Sequence, residues 1–205
     1  ANGTRVVIDP PAPQTGYTLP AAPVDIALVT HEHADHNNVA GLKGSPEVLH
    51  GLQLESGAKR TIRGVAVQVL LTEHDPNQGT QRGKNAVFIL KVDGVTIVHC
   101  GDLGRPLSTG EAQALGSVDV LLVPVGGNYT IDGPGAAAVV KQVKPRVVVP
   151  MHYKTAVSTS RIAGPEGFLD AAKAAGWETH TAAQLEVKRG ALPAKTRVVV
   201  LHYQK

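Results

Sequence analysis

Cysteine, aromatic residues and long apolar runs are scarce in this chain of 205 residues. The single thiol, Cys100, has no intramolecular partner, so an internal disulfide is excluded, and the reducing cytoplasm is the favoured setting. Aromatic residues make up 3% of the sequence, too few for the stacking platforms that hold single-stranded nucleic acid. The longest apolar run, Val118–Gly127, is cut by Asp119 and Pro124 and falls short of the roughly 20 residues that span a bilayer. There is no long basic arm, and the net charge is only +3. That mild excess suits a small anionic substrate better than a nucleic acid. The chain opens on Ala1 without a signal-peptide pattern, which raises the expectation that something upstream was removed.

What is present is a 42% hydrophobic composition, enough for a real core, and the length of one domain covering residues 1–205. Short β runs come first: Thr4–Asp9, a proline-rich connector, Asp25–Thr30 and Glu47–Gly51. Two hairpins follow, Lys59–Arg63 with Val65–Leu71 around Gly64, and Ala86–Val92 with Val95–Cys100 around Asp93-Gly94. The second half alternates. Helices are predicted over Thr109–Leu115, over Ala136–Lys144 with a cap at Asp132, and over Pro165–Ala175 ended by Gly176. Strands are predicted over Val118–Val125, Arg146–Pro150 and Arg197–His202. Mixed elements of this kind predict two sheets covered by helices, one layer on each side.

One regularity concerns function. Apolar strands run into polar residues at their C-terminal ends. IALVT leads into His31-Glu32-His33-Ala34-Asp35-His36, VQVLLTE into His74-Asp75, and TIVHC into Gly101-Asp102. VLLVPV leads into Gly126-Gly127-Asn128-Tyr129, and VVVPM into His152-Tyr153-Lys154. Strand ends on one rim can pool their loops into a single site. Imidazoles and carboxylates together suit borderline divalent ions, zinc above all, with Mn2+ or Fe2+ also admissible. One ion rarely takes four ligands from six consecutive residues, so two ions are expected. His31 and His33 would serve one, Asp35 and His36 the other, with His74, Asp102 and His152 completing the set and Asp102 able to bridge. Two metals about 3.5–4 Å apart can deprotonate a water held between them and use the hydroxide as nucleophile. The remaining histidines, His50, His99, His180 and His202, are read as structural or exposed, Glu32 as solvated or supporting, and Cys100 as a small buried residue.

The order His-x-His-x-Asp-His, a distant His, Gly-Asp after a strand and a last His resembles the metallo-β-lactamase-fold hydrolases. The nearer resemblance is to a bacterial branch of zinc-dependent hydrolases related to L-ascorbate-6-phosphate lactonase and N-acylphosphatidylethanolamine phospholipase D. It is supported by Arg82–Asn85, Cys100–Gly104, Val123–Asp132 and Pro150–Lys154. The resemblance implies an α+β fold, a four-layer αβ/βα sandwich of two mixed sheets flanked by helices. It implies His31, His33 and His74 on a first ion, and Asp35, His36 and His152 on a second, with Asp102 bridging. Members of that family open with a further strand and a Gly-His-Ser-like segment ahead of the counterpart of Thr4–Asp9. This sequence does not show that opening, so the first sheet is expected either to be short or to be filled by another segment.

The lactam-cleaving members place a cysteine where this chain has Asp102, so a phosphodiester or lactone is the expected ester-like bond. Asp35 is expected to orient water as well as bind metal, making Asp35 and Asp102 the catalytic carboxylates. Arg82, Asn85, Asn128, Tyr129 and Lys154, on loops near the ligands, are the candidate substrate contacts. Among the alternatives, an amidohydrolase barrel needs about 250 residues, and a helical His/Asp phosphohydrolase carries its ligands on helices. A nuclease and a non-catalytic metal-binding member of the same fold remain as further readings.

Overall fold

The structure, a computed structural model, describes residues 3–203. A three-stranded parallel sheet has the order β1 (Val6–Ile8), β2 (Ile26–Val29), β3 (Glu47–His50). The second sheet has eight strands: β4 (Lys59–Ile62), β5 (Val65–Glu73), β6 (Lys84–Val92), β7 (Val95–His99), β8 (Val120–Pro124), β9 (Val147–Met151), β10 (Glu178–Ala182) and β11 (Arg197–Leu201), in the spatial order β10-β11-β9-β8-β7-β6-β5-β4. Pairing is antiparallel from β4 to β7 and parallel from β7 to β10. The α-helices are α1 (Thr109–Leu115), α2 (Gly133–Val143) and α3 (Glu166–Ala174). The architecture is the α+β sandwich expected from the sequence.

Local chemistry accounts for the turns and helix ends. Both two-residue hairpin loops, Arg63-Gly64 and Asp93-Gly94, hold positive φ at both positions, the conformation that matches strand twist. Ser108 and Glu111 form a reciprocal capping box on α1, and the Asp132 carboxylate accepts from the Gly135 N–H at the start of α2. Lys144 turns left-handed after α2, and Pro145 prevents continuation.

The sheets pack through alternating side chains. Ile26 and Leu28 of β2 face Val67, Val69 and Phe88 of the large sheet, and burying each contributes about 1.5–3 kcal/mol. The other face of the large sheet is covered by the helices, with Ala136, Val140 and Phe168 against Leu121, Val123 and Val148. The outer face of the small sheet is covered differently from the helical layer expected there. Leu19 from the proline-rich connector and Val39 and Leu42 from a 3-10 turn pack around Ala27. β1 lies at the edge of the small sheet, and among the described residues no strand pairs with its outer side.

Because β5 and β7 flank β6 with antiparallel pairing on both sides, β5 runs in the same direction as β7, β8 and β9. Their C-terminal ends therefore share one rim. β10 was not anticipated. Its sequence, ETHTA, lacks buried alternation because it is an edge strand with four exposed residues.

Candidate metal centre

The rim assembles the histidines and carboxylates anticipated from the strand ends. His31, His33 and His74 bring one nitrogen each within 4.8 Å of one another, and a nitrogen of His36, a nitrogen of His152 and an Asp102 oxygen form a second such group. Asp102 Oδ2 lies 3.3 Å from His74 Nε2, 3.4 Å from His152 Nε2 and 3.5 Å from His36 Nε2. One carboxylate oxygen thus stands between the two groups. Asp35 is on the same rim, its Oδ2 3.7 Å from His36 Nε2, but it is 48% exposed and belongs to neither group. His152 carries a positive φ of 51°, a strained conformation at a position that must aim a side chain.

The imidazoles are aimed by partners behind them. Thr30 Oγ1 donates to Asp9 Oδ2 at 2.7 Å and so accepts from His31 Nδ1 at 2.9 Å. His36 Nδ1 donates to the same Asp9 oxygen at 3.1 Å, and His74 Nδ1 donates to the Tyr129 carbonyl at 3.1 Å. All three rings therefore carry the proton on Nδ1 and turn Nε2 toward the centre, the tautomer a metal ion requires. His31 Nε2 is buried and has no hydrogen-bond partner within the protein. A buried orphan of this kind is costly unless a further group meets it, and a bound cation would do so here. The donor set and its orientation fit divalent metal.

Asp9 was not singled out from the sequence, although it too closes an apolar strand, Val6–Ile8. It also lies within reach of His31 and His36 as a third possible donor group. Its oxygens are already committed, Oδ1 to the Thr30 N–H and Oδ2 to Thr30 Oγ1 and His36, so it orients the histidines behind the centre.

Electrostatics follow from this crowding. Burial, then the charge of His36, lowers His31 to about 3, keeping its lone pair available. Burial alone would lower His36 as well, but Asp102 and Asp9 outweigh it and raise the ring to about 9. Burial likewise lowers His74. Asp102 would be raised by burial, yet the histidines around it, His152 and His36 foremost, pull it below the usual carboxylate range.

The loop carrying Asp102 is held by its glycines and by Asn85. Gly101 has φ +55°, and a Cβ there would collide with Asn85 Oδ1 and Thr30. Gly104 lies so close to the His74-Asp75 backbone that no side chain fits. Asn85 is fully buried. Its amide donates to Thr72 Oγ1 and the Cys100 carbonyl, and its oxygen accepts from the Asp102 N–H at 2.9 Å.

A cavity of about 470 Å³ opens above the centre, lined by His33, Asp35, His74, Arg82, Asp102, Tyr129, His152 and Ser160. Of the five residues anticipated as substrate contacts, Arg82 and Tyr129 are on its wall. Asn85 is not, being spent on the Asp102 loop. Lys154 Nζ is held by the Ser158 and Ser160 carbonyls at 2.7 and 2.8 Å, and Asn128 donates to the Arg161 carbonyl at 2.8 Å. Both tie down the loop that contributes Ser160. These polar side chains were legible as loop residues, but their bonding to backbone carbonyls depends on loop shape that spacing does not reveal.

Comparison with known proteins agrees with this arrangement. The profile of the beta-lactamase superfamily domain matches residues 1–152. A UPF0173 metal-dependent hydrolase of Pelotomaculum thermopropionicum is 32% identical over 182 residues, covering 74% of this chain and 78% of the relative. A UPF0173 metal-dependent hydrolase of Archaeoglobus fulgidus is 31% identical over 202 residues, covering 84% of this chain and 85% of that one. Among solved structures, a Thermotoga maritima protein assigned to the Zn-dependent hydrolases of the metallo-beta-lactamase superfamily superposes with a TM-score of 0.74 at 29% identity, over 96% of this chain and 88% of its own. A metallo hydrolase of Ignicoccus hospitalis shares the fold, with a TM-score of 0.66 at 20% identity, over 100% of this chain and 90% of its own. Ligand geometry, profile and relatives converge: the chain belongs to the metal-dependent hydrolases of the metallo-β-lactamase superfamily.

Proposed function

We infer that this protein is a dinuclear hydrolase that cleaves an ester-like bond, a phosphodiester or a lactone, in a small anionic substrate. The observation that carries the dinuclear reading is the position of Asp102 Oδ2, within 3.3–3.5 Å of Nε2 atoms belonging to both histidine groups. His31, His33 and His74 would hold one ion, and His36 and His152 the other, with Asp102 shared. Zinc suits the histidine-rich donor set best. When bound, such ions polarise the scissile oxygen and lower the pKa of water.

The chain's own residues supply the rest. Asp35 projects into the cavity from the mouth of the centre, where its carboxylate can accept a hydrogen bond from the attacking water and orient it. The cavity volume, about 470 Å³, is that of a small-molecule pocket. Arg82 gives its wall a positive charge, which favours an anionic ligand. Metal analysis of protein purified without chelator should find about two zinc ions per chain. Asp102→Ala should lose bound metal together with turnover of a bis-aryl phosphate and of a lactone panel. Full metal retention with unchanged turnover would overturn the shared role of Asp102.

A further inference from the structure

Resting on that reading of the centre, we propose that Arg82, seated on Tyr129 and aimed by Asp75, is a carboxylate anchor that selects esters or lactones bearing a remote carboxylate. The Arg82 guanidinium lies 5.4 Å from the centre of the Tyr129 ring. Among the described residues it has no carboxylate partner, whereas Arg105 is paired with Glu73 and Glu111 and Arg189 with Asp119. An arginine stacked on an aromatic face, open toward a cavity and free of an acid, presents its fork of donors to a ligand.

Its placement is built, not incidental. Asp75, fully buried and next to the ligand His74, accepts from four backbone N–H groups. Oδ1 takes those of Asn77 and Gly79, and Oδ2 those of Gln81, at 3.0 Å, and Arg82, at 2.7 Å. One carboxylate therefore shapes the whole loop that ends in Arg82. Tyr129 completes the brace, because its carbonyl receives the His74 Nδ1–H while its ring carries the guanidinium.

The charge inventory selects the class of anion. Arg82 is the single Lys or Arg on the cavity wall among the described residues, since Lys154 is turned onto the Ser158 and Ser160 carbonyls. One guanidinium balances a carboxylate of unit charge and matches its two oxygens with a fork of donors, whereas a phosphate dianion carries more charge than Arg82 supplies. Asp75 is a positioning residue, acting through Arg82.

The test uses zinc-loaded protein and two 4-nitrophenyl esters of matched length, the glutarate monoester and the valerate. The wild type should show a KM about tenfold lower for the glutarate, with kcat similar for both. Arg82→Met should abolish that preference by raising the glutarate KM to that of the valerate, Arg82→Lys should restore part of it, and Asp75→Asn should raise the glutarate KM with kcat and zinc content maintained. A preference that survives Arg82→Met overturns the anchor while the hydrolase reading stands. Calorimetric binding of glutarate against butyrate reads the anchor without turnover. If neither ester is cleaved but glutarate binds about tenfold more tightly to the wild type than to Arg82→Met, turnover of open-chain carboxylic esters falls and the anchor stands. Glutarate binding unchanged by Arg82→Met overturns the anchor, and a lower KM for the 4-nitrophenyl ester of 4-phosphonobutyrate than for the glutarate monoester overturns the choice of carboxylate.

Discussion

Asp9 governs two candidate ligand histidines through one carboxylate, directly for His36 and through Thr30 for His31. Removing it frees both rings to choose the wrong tautomer. Asp9→Ala should therefore weaken zinc binding about 10–100-fold in a chelator competition, with the fold retained by circular dichroism. An unchanged affinity would show that Asp9 only fastens β1 to the Thr30 backbone. His36 offers a second measurement. Against burial, Asp102 and Asp9 push its ring up to about 9, so near neutral pH its Nε2 also carries a proton that metal must displace, while His31, lowered to about 3, has none there to lose. Zinc affinity should rise about tenfold per pH unit between pH 7 and 9 and level off above. A flat profile across that window would place His36 in its neutral form. The candidate ligands were legible because each is a titratable residue close after an apolar run. Asp9 and Asn85 were harder to read. Asp9 stands alone before a proline-rich connector, and the work of Asn85 is visible only once β6 and the Asp102 loop lie side by side.

At the scale of elements, the loop after β7 tolerates no bulk. Gly104→Ala would drive a methyl group into the backbone of Asp75 and His74. It should cost both stability and metal, read as a lowered urea midpoint and substoichiometric zinc; full occupancy would show that the β5 end can shift without losing its ligand. Helix α1 is fixed to the same rim by Arg105, whose guanidinium joins Glu111 and Glu73. The Arg105 hydrogen bond, opposed by burial, depresses Glu111 from 4.5 to about 2. A depressed carboxylate stabilises fully above its unfolded value, and the contribution is lost as pH falls from 4.5 toward 2. With Glu111 15% and Arg105 27% exposed, that contribution is about 2 kcal/mol after screening. Arg105→Met should lower stability by about this amount at pH 7 and by little at pH 2. An equal loss at both pH values would assign the effect to packing. Helices and hairpins were legible through the Asp132 cap, the closing Gly176, Gly64 and the Asp93-Gly94 turn. β10 escaped because an edge strand with an exposed, polar sequence carries no periodic signal.

Over the whole molecule, the two sheets present a chemical rim and a plain one. The hairpin turns at Gly64 and Gly94 lie at the end opposite the metal centre, where Asp119 and Arg189 pair at 2.8 Å. At the functional end, the loops after β2, β5, β7 and β9 converge on a few atoms. A chain with one thiol has no covalent means of tying distant segments together. Ions held among these side chains would act as cross-links, joining Asp102 and His152 to residues near the start of the chain. Their loss would then loosen the molecule unevenly: amide exchange would quicken along the ligand loops while the hairpin end kept its protection.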